Sequence, residues 1–227
     1  MLQFFTVVVM LAVGYVYLSE GIFTASVMFC GVILSGLLAF NFFEPLAGIL
    51  GNTLAKTPLA DYEDALALVA IFSITLGLFR TAANNVAPTQ IEYHPIMQNI
   101  GGGLLGLATG YLVSGFLVCV LQTLPWRDNF MGFDARYEAD QGFRNLLPSD
   151  RVWLAMMRRA GAYAFANNEI KVPPGQSAED IPYYQRYKTF DRFGNFELRY
   201  LRYRRFPESI PRTQYDGEFN HELDRGP

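Results

Sequence analysis

The feature that most limits the fold is an almost charge-free first half of the chain. Residues 1–126 contain two basic and six acidic side chains, whereas residues 127–227 contain 16 basic and 15 acidic ones. The hydrophobic content of 51% is therefore an average over two unlike halves. The first half argues against a single water-soluble globule. The nearly neutral second half argues against nucleic-acid binding driven by net positive charge.

Four apolar runs in the first half are candidate membrane-spanning helices. A span needs about 20 largely apolar residues to cross roughly 30 Å of hydrocarbon. Pro45 is expected to end the second span, and Ser19-Glu20-Gly21 to form a tight helical hairpin between the first two. The third run is short enough to be a buried soluble helix, but its neighbours favour a span. The predicted spans are residues 2–18, 22–43, 62–80 and 100–124.

These spans predict an all-α membrane protein. Residues 1–126 would form a four-helix transmembrane domain, followed by a small α+β C-terminal tail. An even number of spans places both termini on the same side of the membrane. The few lysines and arginines near the spans give only a weak preference for termini inside, so the side of the tail stays open.

Small residues recur every four positions in the second and fourth spans. Residues four apart share a helical face, and small side chains let helix backbones approach closely in lipid. We interpret these stripes as helix–helix contacts, with a ligand or ion path as the alternative. Spans one, two and four contain no Asp, Glu, Lys, Arg or His, which disfavours an ion path. The stripe residues are Gly102, Gly106, Gly110 and Ser114 in the fourth span, and Gly31, Ser35 and Ala39 in the second.

No motif of the chain indicates catalysis, a metal or a cofactor. Cys30 and Cys119 lie inside apolar runs, and neither cysteines nor histidines have metal-site spacing. No G-x-S-x-G elbow is present, and the triple glycine at 101–103 lacks the Gly-Lys-Ser/Thr of a phosphate loop. We therefore expect a protein that is not an enzyme. Asp61 and Asp64, interpreted as an interfacial helix N-terminus, would matter if the protein were a transporter.

The polar tail divides into two predicted elements and an irregular end. Ser149 or Asp150 can cap an amphipathic helix whose apolar residues begin at Trp153. Phe193-Gly194-Asn195-Phe196 resembles a turn between strands 187–191 and 197–203. Residues 127–206 would thus hold a helix and a β-hairpin, and residues 207–227 would be irregular or disordered.

Arginine and aromatic side chains of the tail are candidate contacts for a partner or for lipid phosphates. The alternatives are a helix packed on its own domain and a small sheet held by cross-strand pairs, with stacking on nucleic acid the least favoured. The candidate residues are Trp153, Arg158, Arg159, Arg199, Arg202 and Tyr203.

One run of residues resembles a known family. The fourth span opens with Gly101-Gly-Gly-Leu-Leu-Gly-Leu-Ala-Thr-Gly110 and ends at Leu124-Pro125. This pattern resembles the colicin V production (CvpA) family of small bacterial inner-membrane proteins. The family's first hairpin normally carries two arginines, and Tyr17–Phe23 keeps its glycine and phenylalanine but neither arginine.

The resemblance implies a multi-pass protein of the bacterial inner membrane with no established catalytic residues. We expect a non-catalytic scaffold or accessory subunit in envelope maintenance or in bacteriocin production and secretion. The alternatives are a small transporter or channel subunit and a structural subunit of a larger membrane complex. Membrane lipids and other membrane proteins, or a second copy, are the expected partners; nucleic acid is not.

Overall fold

The computed structural model is helical over most of the part that it describes. The described residues are 2–54, 57, 59, 62–86, 94–124, 148–164, 167–169, 187–188, 190–191 and 196. The helices are α1 (Leu2–Glu20), α2 (Ile22–Leu54), α3 (Glu63–Val86), α4 (Pro95–Thr123) and α5 (Ser149–Ala164). The strands are β1 (Asn167–Glu169) and β2 (Tyr187–Lys188).

Helices α1 to α4 are each long and apolar enough to cross a membrane. They cover the four predicted spans to within one residue at each end, but three of them run well beyond the predicted bounds. α3 continues past Arg80 to Val86, and α4 already begins at Pro95, where a proline suits the first turn because its missing N–H has no helical partner there. Acidic Glu63 and Asp64 occupy the first turn of α3, where they complement the helix dipole.

Pro45 does not end the second helix, contrary to the sequence prediction. α2 continues through Pro45 to Leu54, so its 33 residues make a rod about 50 Å long. Proline removes one helical hydrogen bond, but packing of the following turns offsets that loss. Ala47 is buried, and Gly51 lies close to Glu63 at the start of α3.

α1 and α2 pack on α4, whereas α3 packs mainly on α2. α1 runs antiparallel to α4, since Tyr17 lies against Gly102 and Met10 against Gly110. α2 runs parallel to α4, and α3 packs along α2. We call the end of the bundle at Gly21 the turn end, and the end at Thr123 the tail end.

The chain reverses at one residue between α1 and α2. Gly21 has a φ of 86°, a left-handed conformation that glycine adopts without the steric cost of a Cβ. The predicted hairpin is therefore tight, but its two helices do not pack along each other. α1 packs on α4, whose glycines allow a close approach, and α2 packs on both α3 and α4.

Aromatic rings form the core at the tail end. Phe40 of α2 lies at its centre, and its ring contacts those of five other aromatic residues. Phe72 of α3 and Phe116 of α4 stack at a centroid distance of 4.0 Å. The neighbours of Phe40 are Phe43, Phe116, Trp153, Phe190 and Phe196. Three of those five are in the tail, so parts of the tail share one core with the membrane helices.

The tail contains a strand pair that was not predicted. β2 lies within the first predicted strand and pairs antiparallel with β1, with Asn167 opposite Lys188. Phe196, expected in the turn between the two strands, is helical and is buried against Phe40. The second predicted strand, 197–203, and the C-terminal segment 207–227 lie outside the described residues.

Candidate functional site: the glycine seam and the docked tail helix

Three glycines of α4 lie directly against the backbone of α1. A Cβ added at Gly102 would be 2.6 Å from the carbonyl oxygen of Tyr17. One at Gly106 would be 2.7 Å from the Tyr17 Cβ, and one at Gly110 would be 2.8 Å from the Met10 Cα. Real Cβ atoms do not approach this closely, so each position needs glycine. We call this contact, formed by Gly102, Gly106 and Gly110 against α1, the glycine seam.

The other stripe residues lie elsewhere in the bundle. Ser114 is fully buried, and its hydroxyl donates to the carbonyl of Tyr111 at 2.7 Å. Gly31 faces Leu76 of α3, and Ser35 and Ala39 are also fully buried. The stripe of α2 therefore has a glycine against α3, whereas that of α4 packs on α1.

Gly14 completes the glycine seam from the α1 side. A Cβ there would be 2.7 Å from the side chain of Leu107. Sequence reasoning missed Gly14, because α1 carries no four-residue stripe that would single out one glycine. Only the position of the opposite helix shows that it is needed.

The tail helix α5 docks into the bundle through Trp153. This side chain has no exposed surface, and it lies between Gly36 of α2 and Gly115 of α4. A Cβ at Gly36 would overlap the indole ring, and one at Gly115 would be 2.9 Å from the Trp153 Cβ. The prediction that Trp153 contacts a partner or lipid was therefore wrong, because two glycines open a slot for it inside the bundle.

The rest of the apolar face of α5 continues this contact. Met157 is fully buried and Leu154 nearly so. A turn later, Gly161 lies beside the Asn41 side chain of α2, where a Cβ would be 3.3 Å from Oδ1. α5 thus runs along α2 from the level of Gly36 to that of Asn41.

A buried polar cluster holds the first turn of α5. The hydroxyls of Thr6 on α1 and Ser149 are hydrogen-bonded at 3.1 Å. The Gln122 amide nitrogen on α4 donates to the Asp150 carboxylate at 3.1 Å, and the Cys119 thiol lies 4.0 Å from the Asp150 carbonyl oxygen. Asp150 is only 5% exposed. The tail therefore brings a buried carboxylate into the bundle of membrane helices.

A comparison with protein families assigns the membrane part of the chain. The model of the family described as colicin V production protein matches residues 2–135, which is more than half of the sequence. The chain belongs to the colicin V production (CvpA) family. With its four candidate spans it is a multi-pass membrane protein of that family. No curated protein and no solved structure matches it.

The family match ends before the docked helix of this CvpA family member. It covers the glycine seam and the slot residues Gly36 and Gly115, but α5 begins at Ser149. The family match therefore includes the residues of α2 and α4 that contact α5, but not α5 itself.

The remaining candidate residues of this CvpA family member are at the surface or outside the described part. Arg159 is exposed and Arg158 is half-buried on α5. Asp64 is half-buried in the first turn of α3. The predicted contact residues Arg199, Arg202 and Tyr203, and also Asp61, lie outside the described residues.

An ion pair closes the turn end of this CvpA family member. An Arg80 guanidinium nitrogen of α3 lies 3.7 Å from a carboxylate oxygen of Glu20, with side-chain exposures of 54% and 31%. Exposed pairs of this kind contribute about 0–1 kcal/mol because water screens them. The pair therefore marks a polar boundary at the turn end more than it stabilises the fold.

The described part of this CvpA family member contains no group of three or more His, Cys, Asp or Glu side chains that could hold a metal. Cys30 is exposed and Cys119 is buried, and neither forms a disulfide. An open groove of about 440 Å³ at the turn end is apolar apart from His94. It is lined by Ile22, His94, Ile96, Met97, Ile100 and Gly101.

Proposed function

We propose that the protein is a non-catalytic scaffold or accessory subunit of the bacterial inner membrane. Its processes would be envelope maintenance or bacteriocin production and secretion, and the second of these agrees with the name of the family, colicin V production protein. The four long helices would anchor it, and the tail would contact a membrane-protein partner or a second copy. Both termini would lie on one side of the membrane.

The docking of α5 is the observation that carries this proposal. A tail that only hung from the last span would give a partner no fixed surface. Here Trp153, held by Gly36 and Gly115, and the hydrogen bond between Thr6 and Ser149 fix α5 to three membrane helices. A helix held in this way presents its outer side in one orientation, which lowers the entropic cost of binding.

Replacement of Gly36 by leucine tests the scaffold. The new side chain would fill the slot of Trp153, so α5 should be released and the partner proteins lost. The full-length protein would be purified from bacterial membranes in mild detergent, and the amounts of co-purifying proteins compared with those of the parent. We expect at least a tenfold loss for Gly36→Leu.

Gly77→Leu is the matched control for this experiment. A Cβ at Gly77 of α3 meets nothing within 4 Å, so the same substitution there leaves the bundle and α5 in place. We expect its partner set to equal that of the parent. A parent that purifies as a monomer with no stoichiometric partner would refute the scaffold, as would unchanged partners after release of α5. Release itself is read from the emission wavelength of Trp153 in a Trp126→Phe background.

A small transporter or channel subunit is the second candidate, and buried Asp150 is the observation that favours it. Ionisable groups inside membrane domains usually belong to proton or ion paths. Asp150 lies between α4 and α5, with Gln122 donating to its carboxylate. The tail supplies this carboxylate, so the sequences of the four spans do not reveal it.

The transport alternative predicts that Asp150→Asn abolishes flux, because the amide keeps the shape of the carboxylate but removes its charge. The measurement is proton entry into proteoliposomes that contain a pH-sensitive dye, driven by a potassium diffusion potential. Asp224→Asn is the control, since it makes the same change in the polar tail, far along the chain from the candidate spans, and should keep the parental rate. Equal rates in parent, Asp150→Asn and empty liposomes would count against transport.

A further inference from the structure

The outer side of α5 carries arginines and no acid. Its exposed residues are Arg151, Val152, Ala155 and Arg159, which share one helical face. The one acidic residue of α5, Asp150, is buried on the bundle side. We call the four exposed residues the basic face of α5. It is an apolar patch with a permanent positive charge at each end.

The contacts of α5 give its depth in the membrane. The polar turn end, with the Glu20–Arg80 pair, marks one boundary of the hydrocarbon. Along α2, Gly36 lies about 22 Å from Gly21, and Asn41 lies about 30 Å from Gly21. The second distance is roughly the thickness of the hydrocarbon. α5 contacts α2 between these two residues. It therefore starts inside the hydrocarbon edge and reaches the headgroup level of the leaflet at the tail end.

At this depth the two arginines meet lipid phosphates. Arg151 lies at the deeper end of α5, where a long side chain can extend along apolar surface and leave its guanidinium at the headgroups. Arg159 already lies near the headgroup level. The two residues are about 12 Å apart along the helix, so they serve two headgroups. Guanidinium groups bind phosphate through two parallel hydrogen bonds, which an ammonium cannot match.

We propose that the basic face of α5 binds the phosphate headgroups of anionic phospholipids in the leaflet at the tail end. Val152 and Ala155, between the arginines, contact the upper part of the acyl chains. The inference rests on the spans and on the docked position of α5, and does not depend on the scaffold function. The membrane surface thus holds α5 from outside, while Trp153 holds it from inside.

The test uses the full-length protein in phosphatidylcholine micelles, titrated with fluorescent phosphatidylglycerol. The parent should prefer phosphatidylglycerol over phosphatidylcholine, and Arg151→Glu with Arg159→Glu should weaken that binding at least tenfold, since both charges are reversed. Arg151→Lys with Arg159→Lys should retain most of it. Both residues are exposed, so we expect an unchanged emission of Trp153.

A control with the same change of net charge separates a local site from general attraction. Arg212→Glu with Arg225→Glu changes the charge equally, and should leave phosphatidylglycerol binding within twofold of the parent. The proposal is overturned if this control loses as much affinity, if the α5 variant binds like the parent, or if the parent shows no preference. Displacement of the lipid by millimolar inorganic phosphate would also overturn it, because the site would then take free phosphate. Loss of a bound protein with unchanged lipid binding would show a protein-docking face instead.

Discussion

Replacement of Gly110 by leucine is expected to separate α1 from α4 and to destroy the native bundle. A Cβ at this position would lie 2.8 Å from the Met10 Cα and 3.0 Å from its carbonyl oxygen. Both are backbone atoms, so the helix itself would have to move. Overpacking usually costs about 1–3 kcal/mol, and a clash with backbone should reach or exceed the top of that range. The measurement is thermal unfolding of the purified protein in detergent, together with its yield from membranes.

Gly77→Leu is the control for this variant too. It makes the same substitution at a helix position where the added Cβ meets nothing within 4 Å. Its melting temperature should match that of the parent. If Gly110→Leu melted at the parental temperature, α1 would not pack on α4 through the glycine seam.

Truncation of Trp153 to alanine should produce the second large effect. The indole is fully buried among rings that include Phe40 and Phe116. Its removal leaves a cavity between Gly36 and Gly115, and such truncations cost about 3–5 kcal/mol. Glycine cannot extend into the space, so the cavity cannot close locally. We expect early release of α5, measured as faster proteolysis near residues 148–164 in detergent.

Val152→Ala is the control on the same helix. Val152 is 42% exposed on the basic face, so its truncation should change stability by no more than about 0.5 kcal/mol. If Trp153→Ala were cleaved at the same rate as the parent, α5 would be held in place without its tryptophan. Equal acceleration in both variants would point to helix propensity as the cause, not to the slot.

The membrane helices could be predicted because hydropathy is a local property. About 20 apolar residues without charge have few alternatives to a helix in lipid, since the backbone must satisfy its own hydrogen bonds. This is why α1 to α4 correspond to the predicted spans. Their ends were less predictable, as Pro45 shows. Whether a helix survives a proline depends on the packing of the next turns, and that packing comes from α3.

The pairing of the tail strands could not be predicted for a related reason. Alternating aromatic and charged residues after Tyr187 are typical of strands, but they carry no information about which segment pairs with which. β2 pairs with β1, a strand that was not predicted, and Phe196, expected in a turn, joins the ring cluster around Phe40 as a helical residue. Its burial there depends on residues of α2 that are distant in the chain.

Only part of the candidate site could be predicted from the sequence, as for the fold. A stripe of glycines predicts that something packs closely on α4, but not that α1 does so. Trp153 has the spacing of an amphipathic helix, which fits a membrane surface as well as a slot. Gly36 and Gly115 have no sequence signal of their own, since neither has a glycine, alanine or serine four positions before or after it. Asp150 has the position of a helix cap, and burial is a property of its neighbours.

The sequence by itself determined which parts of this CvpA family member lie in lipid and which lie in water. Charge and hydropathy along the chain sort residues between lipid and water, and spacing of small residues marks a helix face for close packing. Only the tertiary structure decided which helices meet at those faces, and that the tail inserts Trp153 and Asp150 among them. The reason is physical: transfer between solvents depends on each segment alone, whereas packing depends on the shapes of surfaces distant in the chain.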